Sequence, residues 1–150
     1  MSLTQHFERL GAPLKNSRWS WGSVRESDGA VFLRVWQDQK VRLDDKIYMM
    51  VTHHAAYVGK ESSPGYKERL AQVALVRAGS PVYMIVCIVE DPNAKPRKIK
   101  SFIADDLFPG GEVIEHDGDI WIEQSGRVNQ NRGRTEIKQI FGSTPIYASV

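Results

Sequence analysis

The sequence predicts an α+β fold, a mainly antiparallel and strongly curved sheet or partial barrel covered by one principal helix, on three observations. Asp28-Gly29 and Asp117-Gly118 each lie between stretches of alternating polar and apolar residues, the pattern of strand pairs joined by tight turns. Residues 62–79 carry apolar side chains at helical spacing, with a proline at the start and a glycine at the end. An apolar run rich in β-branched residues, Val82 to Val89, follows at once and is too continuous for an exposed strand, so it belongs at the centre of the sheet.

Taken in order, Thr4 to Leu10 reads as a short helix with Thr4 as its cap, Phe7 and Leu10 on one side, and Gly11 with Pro13 ending it. Arg18 to Asp38 reads as the first hairpin. A two-residue turn at Asp28-Gly29 sets Ser27 opposite Ala30, Arg25 opposite Phe32, Ser23 opposite Arg34, Trp21 opposite Trp36 and Trp19 opposite Asp38. One face of that hairpin carries Val24, Val31, Leu33 and Val35 and suits a core. The other mixes three indoles, a phenyl ring and two guanidinium groups: either a second core face, with each arginine flat against a ring, or a surface that stacks bases.

Beyond Asp38, Gln39 to Lys46 alternates Val41 and Leu43 as an edge strand or a loop, and Ile47 to Val51 reads as a strand. In the helix, Ser63 suits the cap, Pro64 the first position and Gly79 the left-handed C-terminal residue. Tyr66, Leu70, Val73 and Ala74 mark its inner face, with Lys67, Glu68 and Gln72 outside. Residues 97–103 form a strand with basic residues along one face, which Pro109-Gly110-Gly111 is expected to break. The second hairpin turns at Asp117-Gly118, residues 126–134 read as a loop and mobile segment, and Ile137 to Phe141 as a last short element.

A chain of 150 residues suits one domain with a sizeable core. The longest apolar run is far too short to span a bilayer and the first twenty residues lack a signal-peptide core, so a cytoplasmic, membrane-free location is expected. Cys87, the single cysteine, lies mid-run and is expected to be buried. The net charge of +2 is modest, but basic residues at 95–100 and 127–134 flank an acidic stretch at 105–123.

His53 and His54 are adjacent, so in a strand they point to opposite faces and do not form a two-histidine metal site; they read as a polar strand end, with a lone acid, base or hydrogen-bonding role for one of them as the alternative. No nucleophile elbow, phosphate loop, dinucleotide fingerprint or paired cysteine motif is present, so neither an enzyme nor a cofactor is expected. A metal-dependent hydrolase built on Glu112, Glu115, Asp117 and Asp119 is the third reading. The first is a nucleic-acid-binding module. Trp19, Trp21, Arg25, Arg34 and Trp36 would be its aromatic face, with Arg97, Lys98 and Lys100, or Arg127, Arg132 and Arg134, holding phosphates. The second makes the same aromatic face a homodimer or assembly interface.

The middle of the chain, PGYKERLAQVALVRAGSPVYMIVCIVEDPNAKPRKIKSF followed by DGDIWIE, resembles non-catalytic modules of bacterial HNH-type, modification-dependent restriction endonucleases. The resemblance spans roughly Pro64 to Glu123 and implies a DNA-associated module, DNA rather than RNA, that inspects a modified or extruded base. The His-Asn-His nuclease cassette is missing, so cleavage is not implied. By analogy of element pattern the sheet is expected to be PUA-like.

Overall fold

The computed structural model describes residues 1–130; Arg132, Arg134 and the element expected at 137–141 lie outside the described residues. Nine strands among those residues form a mixed sheet with the order β1-β2-β5-β7-β8-β4-β3, β6 adding to β5 and β9 to β7. The strands are β1 (Gly22–Val24), β2 (Val31–Trp36), β3 (Lys40–Leu43), β4 (Lys46–Met50), β5 (Val82–Val89), β6 (Ile99–Phe102), β7 (Asp106–His116), β8 (Asp119–Gln124) and β9 (Val128–Asn129). Helix α1 is Leu3–Arg9, helix α2 is Pro64–Arg77, and a 3-10 turn covers His54–Tyr57. The expected α+β class holds: an open, curved sheet with one principal helix. No helix among the described residues is long and apolar enough to cross a membrane.

The pairing is antiparallel except between β2 and β5, which run parallel with Val31 opposite Val82 and Trp36 opposite Cys87. A parallel pair needs a long crossover, and here β3, β4, the 3-10 turn and α2 provide it. The sheet bends at β7, whose first residues pair with β5 and β9 and whose last pair with β8. The basic strand ends at Phe102 as β6, and Pro109-Gly110-Gly111, expected to break it, instead lies within β7 and bends that strand, with a register shift between Gly110 and Val113. Glycine is needed at 110 because a Cβ there would stand 2.5 Å from Val82 Cγ1 and 2.8 Å from Ile122 Cγ2, where the two halves of the sheet approach.

The inner face buries Val31, Leu33, Val35, Val82, Met84 and Val86 from one half against Met49, Val51 and Ile122 from the other, with Phe108 at the bend. Val73 and Val76 of α2 close this core. A second core lies on the outer face, where Phe7 of α1, its C-cap Leu10 and Ala12 pack on Ala30, Phe32, Tyr83, Ile85 and Leu107. Helix α1 begins one residue earlier than its sequence suggests because Ser2, not Thr4, caps it, in a capping box with Gln5.

The first hairpin has the expected faces and a different register. Gly22 is opposite Leu33, Ser23 opposite Phe32 and Val24 opposite Val31. Arg25 binds the carboxylate of Asp28 and its carbonyl accepts from Gly29 N at 2.7 Å, so the turn has four residues, Glu26 to Gly29. A shift of two residues keeps every side chain on its own face. It does separate Trp21 from Trp36, which were expected to face each other: Trp21 O instead accepts from Arg34 N at 3.0 Å. Helix α2 is rotated from the expected stripe as well, burying Arg69, Gln72 and Val76 while Ala74 is exposed. The second hairpin turns at Asp117 and Gly118, both at positive φ, and Cys87 is fully buried.

Candidate nucleic-acid interface

β1 begins only at Gly22, opposite Leu33, so among the described residues the end of β2 from Arg34 to Trp36 has no strand beside it on that edge. Trp21, the residue before β1, swings towards the start of α2. Gly65 makes room for it: a Cβ at that position would lie 2.5 Å from the indole Nε1 and 2.6 Å from the carbonyl of Trp19. The segment leaving β4 then brings its rings to the indole. His53 meets Trp21 edge-on with centroids 5.9 Å apart, and Tyr57 lies tilted against it at 5.2 Å. Tyr57 in turn stacks parallel on Tyr66 at 4.8 Å. The hydroxyl of Tyr66 bonds to His54 Nδ1. Trp21, His53 and Tyr57 are only partly buried, whereas Tyr66 is buried.

Beneath these rings Arg69 is fully enclosed. Its Nη1 donates to Val51 O at 2.7 Å, and its Nη2 to Trp21 O at 2.9 Å and Arg34 O at 2.8 Å, so one guanidinium joins the end of β4, the start of β1 and β2. It also lies 5.6 Å from the centroid of Trp21. Burial, reinforced by Arg34, lowers its pKa to about 9. Burial also lowers that of His53, to about 4, with Arg69 adding to the effect and Asp119 opposing it, so this imidazole is neutral at physiological pH. Asp119 is itself buried and committed, accepting from Thr52 Oγ1 at 2.7 Å and from His54 N at 2.8 Å. On its far side an open pocket of about 320 Å³ is lined by His54, Glu115, His116, Asp117 and Asp119.

The sequence-predicted site residues divide into groups. Trp21 and Arg34 meet at the end of β2, and Trp19 lends its carbonyl to the packing against Gly65. Trp36 is two residues beyond Arg34, covered by the Arg97 guanidinium at 4.7 Å, and Arg97 pairs with Asp38 at 2.5 Å. Lys98 and Lys100 are exposed at and beside β6. Two others are engaged elsewhere. Arg25 binds Asp28 and Leu10 O and lies over Phe32, on the α1 side. Arg127 is tied to Asp106 by both Nε and Nη2, at 2.8 and 2.6 Å, beside β9, so this part of the expected loop is a strand. Arg132 and Arg134 lie outside the described residues.

Sequence reasoning missed Tyr57, Tyr66 and Arg69 as members of this cluster and treated His53 as a polar strand end. Tyr66 was legible only as part of an apolar stripe, and nothing in the spacing of Tyr57 or Arg69 marks them. The acidic residues of the second hairpin are also less available than their sequence suggests. Glu112 accepts from Tyr48 at 2.7 Å, Glu115 pairs with Arg77, and Asp119 is held as described. Among the described residues no group of three or more His, Cys, Asp or Glu side chains is placed to hold a metal ion.

Fold and site together define an open, curved α+β sheet with an aromatic and cationic cluster at the end of β2 that β1 leaves unpaired among the described residues. No family model, curated protein or solved structure gives a significant match to this chain.

Proposed function

We propose that this chain is a small nucleic-acid-binding module that seats an unstacked base against Trp21 and Tyr57 and follows the backbone with the basic residues of the β6 region. The observation that carries this reading is the cluster itself: partly exposed indole, phenol and imidazole rings brought together beside cations that are not all neutralised by neighbours. Stacking on an aromatic platform with electrostatic guidance from lysines is how single-stranded or extruded bases are held. A neutral His53 beside the stacked rings offers a hydrogen-bond donor and an acceptor without adding charge. The resemblance to DNA-associated modules favours DNA.

Fluorescence anisotropy with short labelled single-stranded and duplex oligonucleotides tests the reading. Binding is expected at low salt, weakening as salt rises, with a smaller salt slope for the double substitution Lys98→Glu and Lys100→Glu. Tyr57→Ala is expected to remove about 1 to 3 kcal/mol of binding free energy, the worth of one stacked base. No binding to any oligonucleotide at low salt would refute the reading, and a dimer seen by sedimentation in the same samples would favour the assembly alternative.

A further inference from the structure

We propose that the Arg34 guanidinium, at the uncovered end of β2 beside Tyr57 and His53, is the seat of an oxyanion, a phosphate group in the first instance. Four arginines among the described residues are partly or fully withdrawn from solvent: Arg25, Arg34, Arg69 and Arg97. Arg25 is held by Asp28 and Leu10 O, Arg69 by three carbonyls, and Arg97 by Asp38. The Arg34 side chain has no hydrogen bond or ion pair among the described residues, although its main chain is tied to Trp21 and Arg69. A guanidinium does not escape this by losing its proton, so it stays charged, and an uncompensated charge in a desolvated place needs a partner.

The surroundings say which partner. Arg69 and Arg97 add positive potential; among the described residues Asp38 pairs with Arg97 and Glu68 acts on Arg69, while no carboxylate pairs with Arg34. Asp119 is turned to Thr52 and His54 N, and Glu68 is bonded to Ser20. The residue bonded to the Arg34 main chain is Trp21, whose indole gathers His53 and Tyr57 at the same end of β2. Burial of Arg34, with Tyr57 among the groups in its electrostatic reach, fits the same geometry. The planar fork of an arginine grips two oxygens of a phosphate at once, and a neutral imidazole N–H donates to a third without needing a counter-charge. This seat does not depend on the nucleic-acid reading, since a free phosphorylated small molecule presents the same oxygens.

Inorganic phosphate is the first probe, added to the whole chain with chloride at matched ionic strength as control and followed by tryptophan fluorescence and by arginine Nε–H resonances in ¹H–¹⁵N spectra. A saturable response is expected that moves an arginine Nε–H signal and is weakened about tenfold or more in Arg34→Gln, the loss expected for a charge-assisted hydrogen bond, while exposed Arg42→Gln behaves as the parent. If Arg34→Gln does not fold, the Arg34 resonance of the parent still decides. No saturable response, or one that leaves Arg34 unmoved, overturns the seat. Oligonucleotide and nucleoside monophosphate arms identify the source. Phosphate or monophosphate bound at Arg34 without oligonucleotide binding supports the seat and defeats the nucleic-acid reading, whereas oligonucleotide binding that Arg34→Gln leaves intact, with no phosphate or monophosphate response at Arg34, defeats the seat alone.

Discussion

A guanidinium taken out of water is tolerated when most of its donors are met, and Arg69 directs both Nη1 and Nη2 to carbonyls of three separate segments, with Nε left unpaired among the described residues. One consequence is that the positive charge stays in place and acts on His53, already neutral through burial. The imidazole then contributes to the pH dependence of stability with a definite sign. Above pH 6.5 it is neutral folded and unfolded alike, and stability is unaffected. Between 6.5 and about 4 the unfolded chain takes up a proton that the folded one refuses, so stability falls as pH falls. The full loss is on the order of 3 kcal/mol, levelling off below the folded value. His6, lowered by burial and by Arg9, acts in the same direction. Urea midpoints at neutral and mildly acidic pH, for the parent and for His53→Gln, separate the two: the variant is expected to lose markedly less stability on acidification. Equal losses in both proteins would mean that His53 is not the group responsible. None of this was legible in the sequence, because an arginine on a helix reads as a solvated residue and adjacent histidines read as a polar strand end.

At the scale of elements the sequence was most informative where side-chain period alone decides, and least where a turn or a crossing decides. The alternation of Val31, Leu33 and Val35 gave the inner face of β2 correctly, since a period of two survives an even shift in register. The shift itself came from Arg25 reaching the Asp28 carboxylate and opening the turn to four residues, a contact that a dipeptide signal does not contain. For α2, proline and glycine marked the ends well. The buried face was misplaced because Arg69 and Gln72 point inward and the apolar Ala74 points out. The entry of α2 also sets the ring cluster. With Trp21 Nε1 only 2.5 Å from where a Cβ of residue 65 would be, Gly65→Ala forces either the indole or the helix start to move. Loss of stability of about 1 to 3 kcal/mol is expected, as for overpacking at a tight site, together with a shift in tryptophan emission from the displaced Trp21. An unchanged spectrum and midpoint would show that the contact is not tight.

Over the whole molecule the class of fold was legible, but its central pairing was not. Hairpin signals predict antiparallel neighbours, whereas β2 finds β5 in parallel after a crossover of more than forty residues, a contact to which local sequence is blind. Because β2 and β5 are central, they are walls of both cores, and neighbouring residues on β2 serve different ones. Phe32 and Leu33 are both fully buried, the first against α1 and the second against α2 and the far half of the sheet. Leu33→Ala is expected to cost about 2 to 5 kcal/mol and Phe32→Ala about 3 to 5 kcal/mol. If the cores are thermodynamically one body, both variants unfold in urea in a single transition, with tryptophan fluorescence and far-ultraviolet circular dichroism coinciding and with an unchanged slope. The shared strand pair argues for that outcome, since neither core keeps its wall when the other loses it. Were the outer layer only a cover, Phe32→Ala would leave the main midpoint in place and release α1 in a separate early step. That result would detach the outer core from the stability of the sheet.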